Sequence, residues 1–372
     1  MRRFIKPNWK KSNLNISATL AEFLGAPNKN ATLPILKKEL QKDYKNVVFI
    51  CADGMGTHPL KINLPKSSFL RKNIKQTLLS TFPSTTTNAT TSLCLNKYPL
   101  EHGWFGWSLY FKKIDRSVDI YLHKDSKTHE VVDYDYPIEI NSNCYFDFAS
   151  SDYEVYTVLP AYVKTLHEDR KTVIENEFEV VAAIKDICQK EGKHFIYSYL
   201  PEPDYTMHEY GVTSPQAKAK IESINNNLEK LYNELNNTLI IVTADHGQID
   251  IKGYVNFYED VELNAMLKCE PFLDGRTPAF IVKDGKAKEF EKLFKKRYGK
   301  DFKLYRSADL VAKGYFGLEG KYAELLGDYI AIGTYTHKLF MPRYDKDAML
   351  FKGHHTSLTE EMQVPLILLA KK

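Results

Sequence analysis

Three stretches of the chain are largely apolar and do not alternate between apolar and polar positions. They are residues 47–52, 194–200 and 239–243. A strand that is covered on both faces shows this pattern, whereas a strand with one exposed face alternates. The sequence therefore predicts three buried strands.

A long amphipathic helix connects the second of these strands to the third. Ser214 is a suitable N-cap residue and Pro215 a suitable first helical residue. The apolar residues that follow recur at spacings of 3, 4, 3 and 4 positions, on one helix face: Ile221, Ile224, Leu228, Leu231 and Leu235. Because strand, helix and strand in this order form a βαβ unit, the two strands are expected to be parallel. We therefore predict an α/β fold with a largely parallel central sheet and helices on both of its faces.

The rest of the chain is less regular. Residues 103–170 are rich in Tyr, Asp and Lys and weakly periodic, and residues 250–345 contain a candidate strand at 279–282 and one further helix. We interpret both regions as insertions over the strand ends. A chain of 372 residues can form one large domain, so we assign residues 1–372 to a single domain.

Charge and cysteine content narrow the possible partners and location. The chain has 51 Lys and Arg against 47 Asp and Glu, and this small excess predicts no platform for nucleic acid. Its five cysteines include no C-x-x-C pair, which favours reduced thiols and a cytoplasmic location. The apolar runs are shorter than the roughly 18 residues that span a bilayer, so no membrane span is expected. No signal peptide is expected either, because no apolar segment follows the basic N-terminus.

Acidic residues and histidines stand where the predicted strands end. They are Asp53 after the first strand, Asp204 and His208 after the second, Asp245 and His246 after the third, and His354 and His355 near the C-terminus. Individually, such residues are common in turns, helix caps and surface ion pairs. Taken together they predict a metal site, because the carboxyl ends of parallel strands meet at one edge of a sheet. A mixed set of Asp and His favours zinc, with manganese or iron as alternatives.

A candidate nucleophile lies in the segment 82–88, where Ser84 is followed by three threonines and Asn88. Hydroxyl residues of this kind commonly cap helices, and a helix is expected from here to about Asn96. A hydroxyl in the first turn of that helix would also lie beside free backbone N–H groups, which bind phosphoryl oxygens. The spacing does not distinguish between the threonines.

These motifs, in this order, resemble the type I phosphodiesterase/nucleotide pyrophosphatase group of the alkaline phosphatase superfamily. The matching segments are Asp53-Gly54-Met55-Gly56, Phe82-Pro83-Ser84-Thr85-Thr86, Tyr98-Pro99-Leu100-Glu101-His102-Gly103, Glu202-Pro203-Asp204 with His208, Ala244-Asp245-His246-Gly247 and Gly353-His354-His355. The resemblance extends over about residues 45–370, which is nearly the whole chain.

The resemblance implies a catalytic domain that binds two divalent metal ions, zinc or alternatively manganese, and cleaves a small phosphoester or nucleotide. One ion would be bound by Asp204, His208 and His355, and the other by Asp53, Asp245 and His246. The nucleophile would be Thr86, the fourth residue after Phe82, with Thr85 as the alternative. A phosphothreonine intermediate would then be hydrolysed by water.

The chain departs from the family pattern at two positions. Ala89 stands where an Asn commonly holds a phosphate oxygen, and Asn88, one residue earlier, is the candidate substitute. Thr356 stands where the family has Gly after the last ligand. Neither Cys51 nor Cys94 lies in the C-x-P-x-R context of sulfatases, which counts against sulfatase activity.

Two other functions are consistent with the same residues. The first is a phosphomonoesterase or phosphonate hydrolase, which would need a cation for the extra phosphate charge, and Lys124 or Arg276 could supply it. The second is an inactive protein that binds metal or nucleotide. The complete set of ligands and the threonine favour an active enzyme.

Overall fold

The computed structural model contains two sheets and the helices that pack around them. It describes residues 2–136, 138, 143–163, 165, 167–346 and 350–372. The strands are β1 (Asn46–Ala52), β2 (Ile74–Leu79), β3 (Ser108–Phe111), β4 (Arg116–Asp119), β5 (Lys124–Asp125), β6 (Tyr153–Leu159), β7 (Lys171–Val173), β8 (Lys193–Leu200), β9 (Thr238–Thr243), β10 (Ile249–Asp250), β11 (Tyr254–Asn256), β12 (Phe272–Asp274), β13 (Thr277–Phe280), β14 (Phe302–Arg306), β15 (Tyr329–Gly333), β16 (Leu339–Met341), β17 (Gly353–His354) and β18 (Gln363–Lys371).

Three α-helices have 12 residues or more, and the others in the described chain have ten or fewer. The α-helices are α1 (Leu14–Phe23), α2 (Pro34–Leu40), α3 (Thr57–Asn63), α4 (Phe69–Lys72), α5 (Thr86–Leu95), α6 (Pro99–His102), α7 (Glu177–Gln189), α8 (Asp204–Tyr210), α9 (Pro215–Glu234), α10 (Val261–Asn264), α11 (Ala287–Tyr298) and α12 (Ser307–Ala312). In the described part of the chain, no helix combines the length and the apolar character needed to cross a membrane.

The predicted α/β fold with a largely parallel central sheet is confirmed. The strand order of this sheet is β2-β18-β9-β1-β8-β6-β7. β1 pairs in parallel with both β8 and β9, and β6 pairs in parallel with β8 and β7. The last strand, β18, is antiparallel to both of its neighbours. Since the three predicted strands are adjacent, the residues that follow them lie at one edge of the sheet.

The predicted connection between β8 and β9 is also present. Helix α9 begins where Ser214 accepts a hydrogen bond from the backbone N–H of Ala217 at 3.0 Å. Its predicted apolar face is buried: Ile221, Ile224, Leu228 and Leu231 belong to the core beneath the central sheet, as does Leu235 just beyond the helix. Burial of this face fixes the helix against the sheet and directs β9 parallel to β8.

The two regions interpreted as insertions combine into a second sheet. Its strand order is β14-β15-β13-β12-β3-β4-β5, and the two regions meet where β12 pairs with β3. The predicted boundaries were partly wrong. Residues 153–159 form β6 of the central sheet, although their mixed Tyr, Glu and Thr content weakens the apolar signal. The strand predicted at 279–282 runs from Thr277 to Phe280.

The second sheet is joined to the central sheet by a buried ion pair. Arg276, in the turn between β12 and β13, is fully buried, and its Nε lies 3.1 Å from Oε1 of Glu361, which is also fully buried. Glu361 precedes β18, and its carbonyl oxygen accepts a hydrogen bond from Gly247. Arg276 is therefore committed to this connection, which removes it as a candidate cation for a phosphate group.

The cysteines differ from the sequence prediction. Cys94, in the last turn of α5, and Cys144 form a disulfide that joins positions 50 residues apart. The other three cysteines are free thiols. Local spacing gives no signal for so distant a pair. Because disulfides are characteristic of oxidising compartments, the cysteine content no longer supports a cytoplasmic location.

Candidate active site

The carboxyl ends of β1, β8 and β9 bring three aspartates together. In the parallel register Cys51 lies opposite both Tyr199 of β8 and Thr243 of β9. The N–H of Asp204 donates to the carbonyl of Asp53 at 3.1 Å, and the N–H of Gly54 donates to Oδ1 of Asp245 at 3.1 Å. A Cβ atom at Gly54 would lie 2.8 Å from Oδ1 of Asp204, so the close approach requires glycine.

Asp53, Asp245 and His246 form one candidate metal site. One potential ligand atom from each lies within 4.8 Å of the others. Nε2 of His246 is 3.3 Å from Oδ1 of Asp53 and 3.4 Å from Oδ2 of Asp245. The Oδ2 atom of Asp245 is buried and has no hydrogen-bond partner, which is the state expected of an oxygen that binds a cation.

A second cluster of potential ligand atoms comprises Asp204, His246 and His355. The remaining predicted ligand of this site, His208, lies next to it. Nε2 of His208 lies 3.2 Å from Oδ2 of Asp204 and 3.2 Å from Nε2 of His355. Nε2 of His355 is 4.0 Å from Oδ1 of Asp204. The two sites adjoin, because the rings of His246 and His355 stack with their centroids 3.8 Å apart.

The histidines of both sites present the same ring nitrogen to the cluster. In His208, His246 and His355, Nδ1 lies 2.9–3.1 Å from a backbone carbonyl oxygen, to which it donates. Nε2 is then left with its lone pair, as in histidines that bind metal. Two Nε2 lone pairs 3.2 Å apart, as in His208 and His355, repel each other unless a proton or a metal ion lies between them. The residues therefore fit divalent metal binding.

The electrostatics of the carboxylates also fit a cation. Burial, and then the charge of Asp245, raises the pKa of Asp53 well above its usual value. Burial, and then the charge of Asp204, raises the pKa of Asp245. Burial alone would raise the pKa of Asp204. In the metal-free chain a protonated His208 beside it, together with His246 and Gln248, outweighs burial and lowers that pKa to about 2. Within the described residues, the ion pairs of these carboxylates are with histidines and none is with Lys or Arg.

The hydroxyl groups of Thr85 and Thr86, at the start of α5, contact different residues. The hydroxyl of Thr86 lies 3.1 Å from Nε2 of His246 and 3.4 Å from Oδ2 of Asp53. The hydroxyl of Thr85 instead donates to Oδ2 of Asp274 at 3.1 Å. Of the two candidates, Thr86 is the one whose oxygen faces the first metal site.

The two departures from the family pattern have structural explanations. Asn88 is fully buried, and its Nδ2 donates to the carbonyl of Pro83 at 2.8 Å, so it holds the loop and is not exposed to a substrate. This arrangement gives no support to the predicted phosphate contact of Asn88. Thr356 has a φ of 91°, in the region that favours glycine, so the backbone keeps the conformation that a glycine would adopt.

Three further residues touch the site that the sequence did not indicate. Tyr199 donates a hydrogen bond to Oδ2 of Asp53, and Gln248 donates to Oδ1 of Asp204. Asp274, from the second sheet, is enclosed by protein, which raises its pKa to about 6, and it lies 3.8 Å from Nε2 of His354. The β1–β8 register could have pointed to Tyr199, since it places that residue opposite Cys51, but no local signal pointed to Asp274.

Comparisons with known proteins agree with this geometry. The family model for type I phosphodiesterase/nucleotide pyrophosphatase matches residues 47–334. No curated protein sequence is significantly similar to the chain.

Three solved structures, of two proteins, share the fold. Murine ectonucleotide pyrophosphatase/phosphodiesterase 5 is 17% identical, with 87% of each chain covered and a TM-score of 0.61. An inactive threonine-to-alanine variant of that protein, in complex with AMP, gives a TM-score of 0.60. Phosphonoacetate hydrolase from Sinorhizobium meliloti 1021, in complex with phosphonoacetate, is 16% identical over 87% of this chain and 90% of its own, with a TM-score of 0.63.

Proposed function

We propose that the chain, which belongs to the type I phosphodiesterase/nucleotide pyrophosphatase family of the alkaline phosphatase superfamily, is a metal-dependent phosphodiesterase with Thr86 as its nucleophile. The reaction of this family is phosphoester hydrolysis. The observation that supports this most strongly is the position of the Thr86 hydroxyl, 3.1 Å from His246 at the edge of a buried Asp and His cluster. An inactive threonine-to-alanine variant in a similar structure agrees with a threonine nucleophile.

Asp53, Asp245 and His246 would hold one divalent metal ion, and Asp204, His208 and His355 the other. Bound zinc, or alternatively manganese, would lower the pKa of the Thr86 hydroxyl and neutralise charge on the phosphoryl oxygens. Tyr199 and Gln248 orient the carboxylates of Asp53 and Asp204 through their hydrogen bonds. The histidines keep Nε2 available because Nδ1 donates to a carbonyl.

The chemical step is a double displacement at phosphorus. The oxygen of Thr86 forms a bond to phosphorus as the bond to the leaving alcohol breaks, and the threonine proton passes to solvent. Water then attacks the phosphothreonine ester and releases the threonine oxygen. The N-terminal end of α5, where Thr86 lies, favours the negative charge that develops on the phosphoryl group.

The charges around the site favour a diester over a monoester. A phosphomonoester carries an additional negative charge, which a nearby cation would have to balance. Arg276 is committed to Glu361, and among the described residues the site carboxylates pair with histidines and not with a Lys or Arg, so no such cation is seen beside them. A diester such as a nucleotide ester or a dinucleotide is therefore the proposed substrate, in preference to a monoester or phosphonate.

Relative rates on two chromogenic substrates test this function. Purified protein loaded with zinc, and separately with manganese, is assayed on bis-p-nitrophenyl phosphate and on p-nitrophenyl phosphate. We expect faster hydrolysis of the diester, activity lost on chelation, and two bound metal ions per chain by elemental analysis. A preference for the monoester would support the phosphomonoesterase alternative, and metal-loaded protein without activity on either substrate would support an inactive binding protein.

A further inference from the structure

The phosphoryl group needs a hydrogen-bond donor that the expected residue does not provide. Asn88 is fully buried and its Nδ2 donates to Pro83, and Ala89 has no polar group. Trp107 is another possible donor because 42% of the residue is exposed, but its side chain is already hydrogen-bonded to Asp119. A side-chain donor to a phosphoryl oxygen, in addition to the backbone N–H groups at the start of α5, would therefore have to come from another residue.

Tyr121 lies directly over the helix turn that carries Thr86. Its hydroxyl is 3.2 Å from Oγ1 of Thr90, and Oγ1 of Thr90 donates to the carbonyl of Thr86 at 2.6 Å. Since the carbonyl already takes the Thr90 proton, the hydroxyl of Tyr121 is the donor to Thr90. Two successive hydrogen bonds thus connect Tyr121 to Thr86, and residues four apart share one helix face.

The position of Tyr121 is fixed by the hairpin of the second sheet. Strands β3 and β4 pair with Ser108 opposite Asp119, and Tyr121 lies two residues after the end of β4, in a 3-10 turn. Its ring makes edge contacts with Trp104, at a centroid distance of 5.0 Å, and with Trp107, at 6.2 Å. These contacts hold the ring, while 45% of the residue stays exposed.

The surroundings of the hydroxyl keep it a neutral donor. Protein around the hydroxyl group raises the pKa of Tyr121 to about 12, and the carboxylates of Asp53 and Asp245 act in the same direction. The contact of the hydroxyl with Thr90 places it one helical turn from Thr86. A neutral donor suits the single charge of a phosphodiester.

We propose that the Tyr121 hydroxyl turns from Thr90 to donate a hydrogen bond to a nonbridging phosphoryl oxygen of the substrate at Thr86. This rests on the proposed phosphodiesterase function and adds a catalytic residue from the second sheet to the site. No covalent bond to Tyr121 is made or broken. The hydrogen bond holds the phosphoryl group in line with Thr86 and strengthens as negative charge develops on its oxygens.

Three variants separate this role from a structural one. Tyr121→Phe keeps the ring between Trp104 and Trp107 but removes the donor. Thr90→Val removes the hydroxyl that Tyr121 contacts in the free protein and leaves Tyr121 in place. Tyr110→Phe is the matched control, because that tyrosine is on the same hairpin and its hydroxyl donates to Asp115.

We expect Tyr121→Phe to lower kcat/KM for bis-p-nitrophenyl phosphate by about 100-fold, as loss of one such donor does in other enzymes. Thr90→Val should lower it by less than about tenfold, because it removes only ordinary neutral hydrogen bonds. Tyr110→Phe should leave it unchanged. Equal losses in Tyr121→Phe and Thr90→Val would overturn the proposal, because Tyr121 would then act only by holding α5.

A stereochemical readout tests the contact itself. The two nonbridging oxygens are not equivalent if Tyr121 binds only one of them, so the wild-type enzyme should prefer one stereoisomer of methyl p-nitrophenyl phosphorothioate. Tyr121→Phe should reduce that preference, and Thr90→Val should retain it. An unchanged preference in Tyr121→Phe contradicts the contact, whereas a wild-type protein without diesterase activity contradicts the proposed function itself.

Discussion

At the scale of single residues, the site is defined by groups whose hydrogen-bonding capacity is incomplete. Asp245 leaves Oδ2 without a partner, and His208 and His355 direct their Nε2 atoms at each other. Unsatisfied buried groups of this kind cost free energy unless something binds them. The divalent metal ions proposed above would satisfy these groups.

The repulsion between carboxylates predicts how the metal-free protein responds to pH. Burial, and then Asp204, raises the pKa of Asp245 in the folded chain, while an unfolded Asp titrates near a pKa of about 4. An acid whose folded pKa is raised destabilises the fold once it ionises. The free energy of unfolding should therefore rise as pH falls from the raised pKa towards about 4.

Asp245→Asn tests this effect. We expect the metal-free variant to be more stable than metal-free wild type at neutral pH, with a smaller dependence on pH, by denaturant unfolding at several pH values. Zinc should raise the Tm of wild type and raise that of the variant less, because a ligand is lost. A metal-free variant less stable than wild type at neutral pH would show that the charge of Asp245 is stabilised by its neighbours and not repelled by them.

Thr356 carries local backbone strain. A β-branched residue at a φ of 91° costs about 1–3 kcal/mol, and its buried hydroxyl has no partner. Thr356→Gly should stabilise the protein by about 1 kcal/mol, after allowance for the greater freedom of glycine in the unfolded chain. Thr356→Ala keeps the Cβ atom and should give no such gain. The two variants are compared by urea unfolding, and equal stability in both would contradict the strain.

At the scale of elements, sequence pattern predicts what local periodicity encodes. The parallel strands and α9 were predictable, and so was the place of Asp53, Asp204 and Asp245, because strand ends in a parallel sheet converge. Thr86 and His355 needed the family resemblance. The sequence gives no local pattern for residues that reach the site from distant elements. Asp274 and Tyr121 are examples, because they come from the second sheet, whose two halves are far apart in sequence.

The Arg276–Glu361 ion pair is the clearest contact between elements of the two sheets. Arg276→Met would leave Glu361 buried without its partner, and we expect a loss of about 3–5 kcal/mol. Adding Glu361→Gln should recover part of the loss, because a neutral amide is less costly to bury than a charge. Stabilities are measured by chemical denaturation. If Arg276→Met alone were as stable as wild type, the ion pair would not contribute to joining the sheets.

At the scale of the whole molecule, the site lies where two sheets meet. The central sheet contributes the proposed metal ligands, and the second sheet contributes Asp274 beside Thr85 and the hairpin with Tyr121. Regions that the sequence marks as insertions therefore complete the site. We expect substitutions in the second sheet to change substrate preference, and substitutions in the central sheet to change metal binding.

The disulfide links α5 to the segment that leads into β6. Alkylation of denatured, unreduced protein should modify three thiols, Cys51, Cys188 and Cys269, and reduction should expose two more. Replacing both Cys94 and Cys144 by Ser should lower stability by about 2–4 kcal/mol, whereas Cys269→Ser should have little effect. Five reactive thiols without reduction would show that the disulfide does not form.

The most direct test of the central claim is the rate of diester hydrolysis by variants of the two adjacent threonines. If Thr86 is the nucleophile, Thr86→Ala should lower kcat on bis-p-nitrophenyl phosphate by about 10³-fold or more, while zinc binding is retained. Thr86→Ser should keep part of the rate because it keeps the oxygen, and Thr85→Val should keep most of it. An active Thr86→Ala together with an inactive Thr85→Val would contradict the account, because the attacking oxygen would then belong to Thr85.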